Sequence, residues 1–448
     1  MRTTRPRVCR HDPRGLGLME DRCPGVLRLH PAADGQLLRV RLPGGRLTGD
    51  ALTAIADIAE MGNGLIEITS RANVQIRGLH DRDAGRAAER LTSARALPSP
   101  EHDRVRNILA DPLGGRDAAA LVRTDGVVED LDRGLCADPR FGDLPGRFLF
   151  AVEDGSGRTG GSQADVTLAA EPVEDGSGAL LRLHLAGSPT TRTAARPAAA
   201  DLALDAARAF LSVLGSMPAS GRDRIWRIAD LPGTELARLL AELGTHLVPG
   251  AGLGAGKPAD AGLRRQGDGR WAVTALAPLG RLSPATARAL ARLADSGSAL
   301  VRLSPARTVS VVDVEDAAVE HVARTLTDQG LVLDPASGWQ GLTACAGLGA
   351  CANARVDVRG AAAARADVRR VAGISVPEHW SACERGCGRP AVVALAATAG
   401  EAGIDVEQDG VDHRAGDVPE ALDLLFAGAT MRSSAGRFGA VVAGGTRP

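Results

Sequence analysis

One stretch of this chain is written twice. Residues 45–79 align without a gap on residues 280–314, an offset of 235 positions. Gly45-Arg46-Leu47 falls on Gly280-Arg281-Leu282, Gly62 on Gly297, Leu65 on Leu300 and Val74 on Val309. A duplication constrains the fold strongly, because both copies must adopt one local structure. Each copy reads as strand, helix, strand, turn, strand. The apolar runs Leu37–Leu42 and Trp271–Leu276 precede the helices. Thr48 and Ser283 are the N-cap residues. Leu52, Ile55 and Ile58 in the first copy, and Leu290 and Leu293 in the second, fall at helical spacing. Gly62 and Gly297 end the helices. Strands follow at Leu65–Thr69 and Val74–Ile76, and at Leu300–Leu303 and Thr308–Val312. The turn between these last two strands carries an arginine in each copy, Arg71 and Arg307.

A weaker repeat is interleaved with the first. Arg106–Gly115 opens one long mixed segment and Thr343–Cys351 opens a similar one. The order A, B, A′, B′ predicts a pseudo-twofold molecule with a ligand on the axis between its halves. Residues 185–225, rich in Ala and Arg, are expected to be helical. Residues 247–262 read as a linker, and the Gly- and Ser-containing tail after Met431 as loose.

Composition removes several function classes. Aromatic residues make up 2% of the 448, with no Tyr, so stacking platforms for single-stranded nucleic acid are not expected. The formal net charge of -1 provides no bulk field for a polyanion. Nearly all cations are Arg, with Lys257 the one lysine. Biased codon usage accounts for most of that, although Arg also binds carboxylates bidentately. Residues 1–30 lack the apolar core of a signal peptide, and no run is apolar enough to span a membrane. The expected location is the reducing cytoplasm, where clustered cysteines bind metal more often than they form disulfides.

The cysteines are clustered in that way. Five residues separate Cys345 from Cys351, three separate Cys383 from Cys387, and 31 lie between the pairs. Four thiolates can complete a Cys₄ shell. Gly347, Gly349, Gly386 and Gly388 surround them and let backbone approach a bulky group. Zinc knuckles use shorter gaps, so the spacing favours a [4Fe–4S] cluster over zinc. Cys9, Cys23 and Cys136 stand apart and read as incidental thiols.

The cysteine pattern and the double repeat together resemble the sulfite/nitrite reductase superfamily, over roughly residues 20–440. TSRANVQIRGL (Thr69–Leu79), VRNILADP (Val105–Pro112), LPGRF (Leu144–Phe148) and RLSPAR (Arg302–Arg307) carry the likeness. The resemblance implies an α+β fold with two ferredoxin-like halves and two larger α/β domains. On this chain they fall at 20–82 and 262–325 for the halves, and at 95–245 and 338–440 for the α/β domains, the last holding the cluster cysteines. It further implies that Arg71, Gln75, Arg106, Arg147 and Arg307 bind the carboxylates of a tetrapyrrole.

One position departs from the superfamily pattern. Sulfite reductases carry a second basic residue after the L-P motif, where this chain has Leu149. Losing that charge should weaken the hold on a small inorganic anion. CPGVLRLHP (Cys23–Pro31), LPGRFLFAVEDG (Leu144–Gly155), APLGRL (Ala277–Leu282) and CERGCGRP (Cys383–Pro390) look most like the precorrin-3B synthase branch. That branch implies an O₂-dependent monooxygenase of the aerobic cobalamin pathway. It would hydroxylate precorrin-3A and close a γ-lactone, using the cluster, a mononuclear non-haem iron and an NADH- or ferredoxin-linked electron donor. A sirohaem-dependent sulfite or nitrite reductase is the alternative. A non-enzymatic iron–sulfur carrier is a third reading, which the paired arginine turns disfavour. His379, four residues before Cys383, is the His nearest the cysteines in sequence, and it is as readily a loop residue as an iron ligand.

Overall fold

The hydroxyl of Thr48 accepts a hydrogen bond from the Ala51 N–H at 3.2 Å, and that of Ser283 accepts one from Thr286 N–H at 3.0 Å. The duplicated segments therefore start their helices with the same cap, as their sequences require. These contacts come from a computed structural model that describes residues 23–159, 164–173, 178–250, 252–253, 260–296, 299–390, 393–408 and 411–425. Cys9, Gly297 and the tail after Met431 lie outside the described residues.

In chain order, the first half comprises β1 (His30–Ala32), β2 (Gly35–Val40), β3 (Arg46–Leu47), α1 (Gly49–Met61), β4 (Ile66–Ile68), β5 (Val74–Leu79) and α2 (Asp83–Ser93). An α/β layer follows, with β6 (Ile108–Ala110), α3 (Asp125–Ala137), β7 (Phe150–Glu153), β8 (Val166–Pro172), β9 (Ala179–Leu185) and β10 (Ser188–Ala194). Its remaining helices are α4 (Ala199–Ser216), α5 (Ala219–Arg222) and α6 (Gly233–Glu242). The second half comprises β11 (Gly262–Arg265), β12 (Trp271–Leu276), β13 (Arg281–Leu282), α7 (Pro284–Asp295), β14 (Leu300–Leu303), β15 (Thr308–Val314) and α8 (Val319–Asp328). The last layer comprises β16 (Leu342–Ala344), α9 (Val358–Ala372), β17 (Glu378–Ser381), β18 (Leu395–Gly400), β19 (Gly403–Gln408) and β20 (Val411–Ala415).

The two halves exchange strands. Their sheets run β1-β2-β5-β4-β13 and β11-β12-β15-β14-β3, so each is completed by a short strand of the other copy. The registers mirror each other: Arg281 lies opposite Glu67, and Arg302 opposite Arg46. Helices α1 and α7 pack against one another. Leu52, Ile55 and Ile58 of α1 and Leu290 of α7 are buried, each contributing roughly 1.5–3 kcal/mol relative to exposure. Left-handed backbone recurs at matching positions: Gly44 and Leu279, Gly45 and Gly280, Ala72 and Arg307, Gly78 and Asp313.

The two α/β layers share a topology as well. Strands β6, β7 and β8 run parallel and β9 and β10 return antiparallel, and β16 to β20 repeat that order. Chain compactness divides the molecule into two units. One takes in residues 99–110 and 119–257, and the other residues 24–98, 111–118 and 258 onward. The core of the first unit holds four of the chain's six Phe, with Phe148 packed 5.1 Å from Phe150 and 5.0 Å from Phe210.

Two sequence expectations need correction. Residues 188–194 form strand β10 instead of helix, and helix begins only at Ala199. Pro189 and the β-branched Thr190, Thr191 and Thr193 disfavour helix, and β9 supplies a paired edge. The expected linker is tied down at its start, where Val248 N–H donates to Pro189 O at 3.0 Å.

Candidate metal centre

The cysteine pairs sit just past the carboxyl ends of neighbouring parallel strands. Strand β16 pairs with β17 through Thr343–His379 and Ala344–Trp380, so the loops after them emerge at one sheet end. Cys345 and Cys351 belong to the first loop, and Cys383 and Cys387 to the second. The Ala382 N–H of the second loop donates to Cys345 Sγ of the first at 3.2 Å. Burial pushes the Cys387 thiol pKa up, and the nearby sulfurs of Cys345, Cys383 and Cys351 push it further. The other three thiols thus stand near enough to Cys387 to act on its charge. Three are half-buried and Cys387 is exposed.

The four surrounding glycines adopt positive φ, from +58° at Gly386 to +82° at Gly388. That conformation suits glycine and turns the backbone closely around the sulfurs. This donor set fits an iron–sulfur cluster, whose thiolates each take a different iron and stand further apart than the ligands of one ion. Among the described residues, no trio of His, Cys, Asp or Glu is gathered tightly enough for a single metal ion. No ligand set for a mononuclear iron is therefore assigned.

Two arginines hold the first cysteine loop in place. Arg359 of α9 donates from Nε to Cys345 O at 3.1 Å and from Nη2 to Glu67 Oε1 at 2.6 Å. Arg77 of β5 pairs with Asp34 at 2.9 and 3.0 Å and donates to Ala350 O. Glu67, 7% exposed, collects further donors. Gln75 Nε2 reaches its Oε2 at 2.9 Å, and Arg281 Nε approaches Oε1 at 3.4 Å. Gln75 Oε1 in turn accepts from Arg39 Nη2 at 2.8 Å. The predicted Gln75 thus lies in a network that ends at a cysteine loop. Glu67, Arg359, Arg281 and Arg77 were missed, because their roles depend on pairings across hundreds of residues.

Arg307 also reaches this region. Burial lowers its pKa and the Glu67 carboxylate opposes that shift. A Cβ placed on Gly388 would lie 3.9 Å from both Arg307 Nη2 and His379 Cε1, so the glycine leaves room between them. His379 is fully buried, and its Nδ1 stands 2.7 Å from Thr343 Oγ1. Thr343 Oγ1 donates to Glu378 O at 3.0 Å. Burial, then the charges of Arg307 and Arg389, bring the His379 pKa down to about 4.

The other predicted arginines are placed differently. Arg71 is half-buried in the β4–β5 turn, its N–H donating to Thr69 Oγ1 at 3.3 Å. Ser304 Oγ receives the matching bond from Ala306 N–H at 3.2 Å in the second copy. Arg106 is buried and donates twice to Asp132 at 2.7 Å, a geometry that braces its own layer. Arg147 is exposed, with its guanidinium 5.6 Å from the Trp226 ring. Leu149 is buried, and its N–H donates to Asp165 Oδ2 at 2.8 Å.

Comparison with known proteins agrees with this architecture. The Nitrite/Sulfite reductase ferredoxin-like half domain family matches residues 30–94 and 263–329, the two halves described above. The solved Mycobacterium tuberculosis NirA protein shares the fold, with a TM-score of 0.65 at 20% identity, over 85% of this chain and 76% of that one. A precorrin-3B synthase from Sinorhizobium sp is 27% identical over 82% of this chain and 78% of its own length. Together these likenesses support placing the chain in the sulfite/nitrite reductase superfamily. A ferredoxin–nitrite reductase from Synechococcus elongatus is 29% identical over 89% of this chain and 81% of its own length. These superfamily relatives are oxidoreductases, and the likeness supports an oxidoreductase with an iron–sulfur cluster. No helix among the described residues is long and apolar enough to cross a membrane.

Proposed function

We propose that this superfamily member is a precorrin-3B synthase, an O₂-dependent monooxygenase that hydroxylates precorrin-3A and closes a γ-lactone. Leu149 carries the reading. Where the reductase pattern has a second basic residue, this chain buries an apolar side chain at 5% exposure. Asp165 fixes the Leu149 backbone, so the position offers no charge to a small anion. A macrocycle with many carboxylates depends less on any one cation.

In this reading Cys345, Cys351, Cys383 and Cys387 hold a [4Fe–4S] cluster, which supplies one-electron redox chemistry when bound. Monooxygenation puts one oxygen atom in the product and reduces the other to water, so an external donor must provide two electrons. Arg71 and Arg307, from equivalent turns, bind substrate carboxylates. Arg359 and Arg77 orient the first cysteine loop through Cys345 O and Ala350 O. Burial keeps His379 neutral at physiological pH, so it adds no charge beside Arg307.

A second reading, a sirohaem-dependent nitrite or sulfite reductase, is supported by the 29% identity to the cyanobacterial nitrite reductase. An absorption spectrum of anaerobically purified protein, with acid–acetone extraction, separates the two. A broad iron–sulfur band with no extractable macrocycle, and oxygen-dependent conversion of added precorrin-3A, is the expected result. A sharp Soret-type band with extractable sirohaem would establish the reductase instead.

A further inference from the structure

The Glu67 carboxylate has an unusual set of neighbours. Its two oxygens take Arg359, Arg281 and Gln75, and its charge also acts on Arg307. These partners come from three parts of the chain. Gln75 belongs to the first half, Arg281 and Arg307 to the second, and Arg359 to the helix after the first cysteine loop. Arg359 is shared, with Nη2 on Glu67 and Nε on the carbonyl of Cys345. Its third nitrogen, Nη1, is buried without a hydrogen-bond partner. Among the described residues, Glu67 is the one carboxylate paired with this guanidinium. The equivalent position in the second half is Arg302, so the pseudo-symmetry does not explain an acid here.

We infer that Glu67 is a positioning residue for the four-thiol centre, setting its redox potential by balancing the charge of Arg359, Arg281 and Arg307. The inference rests on the reading of Cys345, Cys351, Cys383 and Cys387 as cluster ligands. Reduction adds negative charge to a cluster, so uncompensated cations nearby favour the reduced state and raise the potential. Glu67 opposes that effect and holds the potential down. It also keeps Arg359 aimed at Cys345 O, which fixes the backbone of a ligand residue.

The test is a potentiometric titration of the purified, cluster-loaded protein, read by electron paramagnetic resonance, alongside iron and sulfide analysis. Glu67→Gln keeps the shape and removes the charge, and its midpoint potential should rise. Arg359→Gln removes a cation at the same place, and its potential should fall. Glu60→Gln, at a half-exposed carboxylate bound to Arg288, should leave the potential unchanged. A network that only braces the fold would not move the two variants in opposite directions. An unchanged potential in a fully loaded Glu67→Gln protein would overturn the inference. If Glu67→Gln fails to retain the cluster, Arg359→Gln decides the matter, and a rise or no change there would overturn it. Wild-type protein without iron or sulfide would instead defeat the reading of the cysteines.

Discussion

Ala72 and Arg307 hold the same left-handed turn position in the two halves, with φ of +56° and +61°. Each turn is closed by the hydroxyl three residues before, Thr69 or Ser304, which accepts from the Asn73 N–H at 3.2 Å or the Thr308 N–H at 3.4 Å. L-residues pay about 1–2 kcal/mol for this conformation, and glycine does not. Ala72→Gly should therefore leave stability unchanged or raise it by up to about 1 kcal/mol, the gain being trimmed by glycine's freedom when unfolded. Arg307→Gly should likewise keep the unfolding midpoint while losing affinity for a carboxylate-rich tetrapyrrole. Chemical denaturation together with ligand titration checks both. A large drop in stability for Arg307→Gly would make Arg307 a structural residue.

The cysteine assignment predicts a sharp contrast between thiols. Cys383→Ser should abolish cluster assembly, read as loss of iron, sulfide and the iron–sulfur absorption band. Cys136→Ser and Cys23→Ser should keep full iron content. Cys136 sits on α3 and Cys23 precedes β1, so neither belongs to the two cysteine loops after β16 and β17. Undiminished iron in Cys383→Ser would remove that residue from the ligand set.

Gly45 marks the place where strand exchange is tightest. A Cβ there would overlap the Leu303 carbonyl, and its φ of +66° already disfavours any side chain. Overpacking and backbone strain together give an expected loss of about 3 kcal/mol for Gly45→Ala. Denaturant titration measures it. A loss under about 1 kcal/mol would mean that the exchanged strands separate at little cost.

Much of this architecture was legible because it depends on local signals. Thr48 and Ser283 announce their helices, Trp271–Leu276 is an apolar run of strand length, and each cysteine pair lies within one short loop. The duplication then multiplied each signal by two. What stayed hidden depends on distant register. Glu67 meets Arg281 only because β4 pairs with β13 across the two copies. Arg106 lies in a recognisable motif, yet its partner Asp132 is set by how α3 crosses the layer. The strand at 188–194 was masked by the Ala- and Arg-rich helix that follows it.

His184 predicts a pH dependence for the layer that contains it. It is buried at 4% exposure in β9, and burial, with the Arg182 charge adding to it, lowers its pKa below 6.5. The folded state therefore prefers the neutral ring. Its contribution is fully present above the unfolded value near 6.5 and is lost as pH falls toward the folded value. The slope is at most about 1.4 kcal/mol per pH unit. His184→Leu should flatten the fall in unfolding midpoint that sets in below about pH 6.5. An identical pH profile in the variant would mean that the ring is protonated in place.

Glu378 is the most heavily committed carboxylate in the last layer. Arg365 Nε and Trp380 Nε1 donate to Oε1 at 3.1 and 2.8 Å, and Arg369 Nη1 to Oε2 at 2.8 Å. Neither the acid nor the two arginines has any exposed side-chain surface. Burial lowers the Arg369 pKa and the Glu378 charge opposes that, so the guanidinium relies on the carboxylate. Glu378→Gln leaves two buried cations without a counter-charge, and breaking a buried pair in this way costs about 3–5 kcal/mol. Strand β17 also carries His379 and leads into the second cysteine loop, so the variant should lose iron on mild heating before wild type does. Denaturant unfolding and iron release followed in parallel test the coupling. Loss of stability without earlier iron release would separate the two, leaving Glu378 as a support for the sheet alone.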